Sequence, residues 1–442
     1  MTVVEANPAQ KEATEAGNYF VSNYPPFSFW RPEFRKDALD ALQQEPEPNR
    51  PLGLYLHIPF CRKRCHFCYF KVYTDKNSDE IKSYLDAVIL ELERYAKLPF
   101  IGNRKPKFVY FGGGTPSYLS SKQLQTLGDA MKAILPWDEV EEVTFECEPG
   151  TLTEAKLKAI REMGVTRLSL GVENFDKHIL EINGRAHRAK EIGRAYEAAR
   201  NLGFPQINID LISGMLEETD ENWNDCIQKA IAMEPDSITI YQMEIPFNTT
   251  IYKRMQETGQ LTAPVADWQT KRDWVKRAFA AFEQVGYHIS SAYTAVKDST
   301  NTQFMYRDAL WHGADLLSLG VSSFSHINHT HFQNQHNLPA YLDQIHAGEL
   351  PIYRALKPSQ SALLVRELVL QLKLGHLDPA YFQKKFDVDI RDVFQEQFDM
   401  LRELGFLVSD EPLILLNRDG LLQIDRLLHQ FFLPEHQNAR YA

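Results

Sequence analysis

Three cysteines fall within eight residues in the segment YLHIPFCRKRCHFCYF, spaced C-x3-C-x2-C as Cys61, Cys65 and Cys68. Three thiolates on one short loop suit a cubane in which each binds a separate iron. The fourth iron then has no protein ligand, and an open coordination position lets a metal centre engage a small molecule. The same triad also admits a structural zinc, with His57 or His66 as fourth ligand, although zinc ligands more often come as two separated pairs. A disulfide framework fits poorly, because the chain has five cysteines, an odd number. Cys147 and Cys226 stand alone and read as buried structural thiols.

Further candidates follow at intervals. Gly112, Gly113, Gly114, Thr115 and Pro116 form a glycine-rich turn in which the backbone can approach a ligand closely and donate to it. Glu146 (in TFECEPG), Glu173 (in SLGVENF) and Asp210 (in NIDLISG) each close a strand-like run, and Arg185 follows in EINGRAH. Carboxylates there can accept from hydroxyl or ammonium groups, and a guanidinium can grip a carboxylate through two hydrogen bonds. Taken singly, each is equally well read as a helix cap or a surface charge. Their repetition at successive strand ends describes a ligand site.

The elements that position them alternate regularly. The runs GLYLHI, KFVYF, EVTFE, RLSLGV, INIDLI and SITIYQ read as strands,. Between them lie amphipathic stretches with apolar residues every three or four positions, two of which end at Gly164 and Gly203,. β-α units in series predict an α/β fold with a parallel sheet and right-handed crossovers, as an open sheet or a barrel. The active face of such folds lies at the carboxyl ends of the strands. Residues 1–50, rich in Pro, Asn and aromatics, read as an N-terminal arm that packs through Phe27, Phe29 and Trp30. The core is assigned to 51–300, a barrel-completing or substrate segment to 301–354, and a Leu-rich helical domain of winged-helix type to 355–442.

A net charge of −11 argues against a duplex nucleic-acid binder. No apolar run approaches the roughly 20 residues of a membrane span, and the polar, acidic first residues do not resemble a signal peptide. A cytoplasmic location is therefore expected.

Taken together, YLHIPFCRKRCHFCYF, FGGGTPSYL, TFECEPGTL, LSLGVENFDKHILEINGRAH, NIDLISGM and GVSSFSHINHTHFQNQ resemble the oxygen-independent coproporphyrinogen-III oxidase family of radical S-adenosylmethionine (SAM) proteins. That family includes heme-chaperone and methyltransferase branches. The resemblance runs from about residue 50 to the end. It implies a partial (β/α)6 barrel with a C-terminal helical domain, and a [4Fe-4S] cluster on Cys61, Cys65 and Cys68 whose open iron binds SAM. It implies SAM contacts at Tyr55, Phe67, Gly113, Gly114, Thr115, Glu146, Glu173, Arg185, Asp210 and Glu244, and in the oxidase branch a second SAM. The expected activity is radical chemistry on a tetrapyrrole or related unsaturated substrate, as oxidative decarboxylation or methylation. A heme chaperone is the alternative, and a flavodoxin or ferredoxin the expected electron donor. Two positions depart from the oxidase pattern: Phe70 stands where the oxidases have a further cysteine, and Glu173 where Gln is common.

The segment SHINHTHFQNQH adds His326, His329, His331 and His336. These either line a porphyrin pocket and ligate heme or form a polar strand and turn with satisfied imidazoles. The cysteine assignment carries the first test. Replacing Cys61, Cys65 and Cys68 together by Ala should abolish the bound iron and sulfide of the anaerobically reconstituted protein, along with any SAM cleavage. A full cubane in the triple variant would refute it.

Overall fold

The computed structural model describes residues 20–259 and 264–437. The acidic stretch at the start of the chain, read above for its lack of a signal peptide, lies outside these residues.

Six strands follow one another in a parallel array: β1 (Leu52–Ile58), β2 (Phe108–Gly113), β3 (Glu142–Cys147), β4 (Arg167–Glu173), β5 (Gln206–Ser213) and β6 (Ser237–Gln242). Each coincides with a run read as a strand from its β-branched and aromatic content. Helices cross between them, among them Ser78–Tyr95, Ser121–Ile134, Glu154–Glu162, Ala189–Asn201 and Asp220–Met233. The first two begin with capping boxes, Asn77 with Glu80 and Ser120 with Gln123, which satisfy amide hydrogens at the helix starts.

The sheet extends beyond six strands. After β7 (His288–Ile289) and β8 (Thr294–Val296), β9 (Asp315–Leu319) returns to pair parallel with β1 on its free edge. β10 (Phe324–Ile327), β11 (Thr330–Asn334) and β12 (Ile352–Leu356) continue from it antiparallel, giving the order β12-β11-β10-β9-β1-β2-β3-β4-β5-β6-β8-β7. β12 and β7 end this order among the described residues, so the barrel is open, and the outer side of β12 meets the N-terminal arm at the Arg31–Ala355 bridge. Periodicity alone could not place β9, because pairing with a strand more than two hundred residues earlier has no local signature.

Alternation along each strand separates two environments. Val143, Phe145, Leu168, Leu170, Ile207, Ile209, Ile238 and Ile240 are buried toward the helices. The intervening Thr144, Ser169, Asn208 and Thr239 give the barrel a polar interior, where Asn208 donates to Ser169 and accepts from Ser237 and Thr239.

The His-rich segment is the β10–β11 hairpin, with Asn328 and His329 in its turn at positive φ. His326 and His331 are buried with their Nδ1 atoms 3.1 Å apart, and His331 stacks on Trp30. His329 bonds Glu47, and His336 packs against Tyr353. The segment therefore packs against the N-terminal arm and does not line the cavity described below. The arm differs from a purely extended strap: Phe27 and Trp30 pack on Phe324, but Arg35–Leu42 is helical.

The C-terminal part runs helix Gln360–Leu372, β13 (His376–Leu377), helices Pro379–Phe386 and Gln395–Glu403, β14 (Leu407–Ser409) and β15 (Ile414–Leu416). The short helix Ile390–Val393 lies between the last two helices, and the three strands form a separate antiparallel sheet in the order β13-β15-β14. Its apolar core continues into Val21, Tyr24, Tyr293 and Trp311, so it packs directly on the arm and barrel.

One buried carboxyl fixes the turn between β9 and β10. Glu91, fully buried on the first crossover helix, accepts from Gly320 N (2.8 Å), Asn334 Nδ2 (2.6 Å) and Tyr341 Oη (2.6 Å). Glu91→Ala would leave these donors without that acceptor in a dry interior and should cost about 3 kcal/mol or more of stability. Denaturant unfolding measures it, with Glu91→Gln expected to lose less.

Candidate functional site

At the carboxyl ends of β1–β6 the barrel opens into a cavity of about 1730 Å³. The loop after β1 brings all three clustered cysteines to its wall. None is in a disulfide; Cys61 is buried, and Cys65 and Cys68 are partly exposed. Burial pushes the Cys61 thiol up to about 12 and the Cys68 thiol up to about 11, so each holds its proton until a cation replaces it. Cys147 also lines the cavity, and Cys226 is buried elsewhere in the core.

The glycine turn packs against this loop. Gly114 N–H donates to Ile58 O at 2.8 Å, and a Cβ at Gly114 would lie 3.0 Å from Cys61 Sγ. Gly113 has φ +114°, and a Cβ there would stand 2.6 Å from the His57 ring. Thr115 Oγ1 donates to Cys61 Sγ at 3.3 Å, so this residue, expected at SAM, also supports a cysteine. Phe67 lines the cavity and packs among Ile179, Ile212 and Met243.

The three carboxylates at the strand ends converge. Glu146 accepts from Tyr110 Oη (2.6 Å) and Gly113 N (3.2 Å); burial pushes its pKa up to about 7 despite these bonds. Asp210 accepts from Ser169 Oγ and Asn208 Nδ2, each at 2.9 Å, and burial raises it too. Glu173 lies at a bulge in β4 with φ +63°, a left-handed conformation uncommon for a residue with a side chain and typical of strained functional positions,. Burial also carries Glu173 up to about 7, opposed by Arg185.

Arg185 reaches all these parts. It donates to Gly171 O at 2.8 Å and to Cys65 Sγ at 3.4 Å, and pairs with Glu173 at 3.3 Å. Its Nε is buried without a hydrogen-bond partner among the described residues. Glu244 also lines the cavity; burial lifts its pKa well above the usual range, and the Phe20 amide donates to it. It is thus tied to the N-terminal arm.

Tyr55 is the exception among the sequence-derived candidates. It does not line the cavity; its ring stacks on Tyr110, which does, and its hydroxyl meets His57 Nδ1 at 3.2 Å. Conversely, Tyr110, Arg167, Tyr241, Asp425 and Arg426 line the cavity and were not singled out from sequence. The first three lie on interior-facing strand positions that the alternation could have revealed. Asp425 and Arg426 belong to the C-terminal region and reach the cavity only through tertiary packing.

Among the described residues, no three His, Cys, Asp or Glu side chains converge as ligands of a single metal ion would. A cubane needs no such convergence, since its thiolates bind separate irons. Three unpaired thiols around one cavity, Thr115 and Arg185 donating to two of the sulfurs, and a glycine cradle against the first cysteine fit that group,.

Comparisons with known proteins agree with this arrangement. Residues 55–230 match the family model of the Radical SAM superfamily. The oxygen-independent coproporphyrinogen III oxidase of Escherichia coli (strain K12) is 27% identical over 434 residues, covering 95% of this chain and 93% of its own. Heme chaperone HemW of Bacillus subtilis (strain 168) is 28% identical over 371 residues, covering 83% of this chain and 96% of its own. The solved structure of coproporphyrinogen III oxidase (HemN) from Escherichia coli, described as a Radical SAM enzyme, is similar with a TM-score of 0.79 at 26% identity, covering 93% of this chain and 96% of that one.

Gly113→Ala tests the cradle. A methyl group at a positive φ and against the His57 ring should cost about 1 to 3 kcal/mol, read as a lowered denaturant midpoint. Unchanged stability would mean that the turn is looser than described.

Proposed function

Because this chain belongs to the radical SAM superfamily, in its oxygen-independent coproporphyrinogen III oxidase-like family, we propose that it is an enzyme that cleaves SAM reductively to start radical chemistry on a tetrapyrrole substrate. The observation that carries this reading is the convergence of three free thiols, a glycine cradle and the acidic strand ends on one cavity. A [4Fe-4S] cluster held there by Cys61, Cys65 and Cys68 would supply the electron for reductive cleavage of the SAM sulfonium.

This chain's residues hold and orient the reactants. Cys61, Cys65 and Cys68 are assigned to the cluster, with Thr115 and Arg185 donating to sulfur. The backbone at Gly113 and Gly114, with Glu146, Glu173, Arg185 and Asp210, is assigned to SAM. The free Arg185 Nε is suited to its carboxylate, and the carboxylates to its positive charge and ribose hydroxyls,. Phe67 screens the cluster side from water. The C-terminal domain contributes Asp425, Arg426 and His429 to the cavity wall, so the domain division read from the sequence gives it the role of a cover. Electrons come from a flavodoxin- or ferredoxin-type donor in the cytoplasm. Among the described residues no helix is long and apolar enough to cross a membrane.

Oxidative decarboxylation of coproporphyrinogen III is the activity to assay, given the oxidases similar over nearly the whole chain. Anaerobic protein with dithionite, SAM and coproporphyrinogen III should yield 5′-deoxyadenosine and a tetrapyrrole that has lost carbon dioxide. Nucleoside without a changed tetrapyrrole would refute that substrate while leaving SAM cleavage intact. Phe70, at the oxidases' cysteine position, favours one second reading, a heme chaperone like the HemW relative. Heme binding with no nucleoside formed would support it.

The pKa of Glu146 near 7 gives a signed prediction. The carboxyl is neutral below that value and anionic above it, whereas the SAM sulfonium is always positive. SAM affinity should therefore rise as pH increases from about 6 to 8, and the slope should flatten in Glu146→Gln, with the remainder due to Glu173, which burial also carries up to about 7. A pH-independent dissociation constant in the parent protein would remove Glu146 from the site.

A further inference from the structure

The cavity contains aromatic surface that the protein itself leaves uncovered. Tyr69, Phe70 and Tyr241 all line it, and each is 44% exposed, in a chain that buries most of its large apolar side chains. Tyr69 and Phe70 follow the last cysteine of the loop, their rings 4.5 Å apart and tilted by 36°. Tyr241 comes from the carboxyl end of β6 and lines the same cavity. Among the described residues its ring makes no aromatic contact and its hydroxyl no hydrogen bond. Cations share this space: Arg64, Arg272 and Arg426 also line the cavity.

Exposed apolar faces inside a cavity, beside a few charged groups, are the usual form of a binding surface for a largely apolar small molecule. Aromatic faces bind flat π-systems best, through offset or tilted stacking. We propose that Tyr69, Phe70 and Tyr241 form an aromatic platform for the flat pyrrole rings of a tetrapyrrole, with Phe70 as its specificity-determining residue. Arg64, Arg272 and Arg426 supply positive charge for carboxylates at the ring's edge. The inference rests on the tetrapyrrole reading and deepens it: the ring that replaces the oxidases' cysteine enlarges the stacking surface beside the cluster loop. A porphyrin, flat and carrying acidic side chains, meets these demands.

The test is binding of coproporphyrin III to the anaerobically reconstituted full chain, followed by its Soret shift and fluorescence, with SAM affinity measured in parallel. Phe70→Ala and Tyr241→Ala should each weaken porphyrin binding by about tenfold, as expected for loss of one stacking partner. SAM affinity and the melting temperature should stay close to the parent values. Phe70→Tyr, which keeps the ring, should retain most of the porphyrin affinity. Unchanged porphyrin binding in both Ala variants would overturn the platform while leaving the tetrapyrrole reading in place. So would equal losses of porphyrin and SAM affinity, which would indicate a general distortion. No porphyrin binding by the parent protein would overturn the platform, whereas the tetrapyrrole reading is decided separately by the anaerobic assay with coproporphyrinogen III.

Discussion

Arg185 must satisfy three neighbours at once: the Gly171 carbonyl, the Glu173 carboxylate and the Cys65 sulfur. A planar guanidinium has donors spread widely enough to do this, whereas an ammonium on a flexible stem does not. The cysteine loop after β1 and the bulged end of β4 are thereby held in one relation, although they come from different parts of the sheet. The left-handed backbone at Glu173 is costly by itself, and the ion pair with Arg185 helps to hold it.

That arrangement places several ionisable groups in a space poor in water. Glu146, Glu173 and Asp210 are all raised by burial, and the Coulombic repulsion of Asp210 adds to it at Glu146 and Glu173. Such crowding is unfavourable for an empty pocket and favourable for one that receives a cation. The C-terminal domain closes the other side, where Asp425 accepts from Tyr293 and stands 3.5 Å from the buried Lys373 ammonium. Cover, arm and barrel are thus linked by charge as well as by a shared apolar core.

Much of this was legible in the sequence because the signals are local. The cysteine spacing, the glycine turn and the β-α alternation each occupy a short window. The six strands appear where β-branched and aromatic runs placed them; Glu146 and Glu173 fall at or beside the carboxyl ends of theirs, whereas Asp210 lies within β5, three residues before its end. Features that depend on distant pairing were not legible. Residues 301–354 could be read as completing the barrel or serving substrate, but neither the pairing of their strand β9 with the β1 edge nor the lining of the cavity by residues beyond 400 could be read. The His-rich segment admitted both a ligand role and a polar strand and turn, and the second is what the structure has: the turn at Asn328 and His329 folds the segment into a hairpin whose histidines do not line the cavity.

The central claim is that Cys61, Cys65 and Cys68 hold a four-iron cluster with one iron left open for SAM. Mössbauer spectroscopy of the full chain reconstituted anaerobically with iron-57, recorded with and without SAM, tests it most directly. The account predicts a [4Fe-4S] spectrum in which SAM shifts the signal of a single iron and leaves the others unchanged. A spectrum that SAM does not alter, or the absence of a four-iron cluster from correctly folded protein, would contradict it.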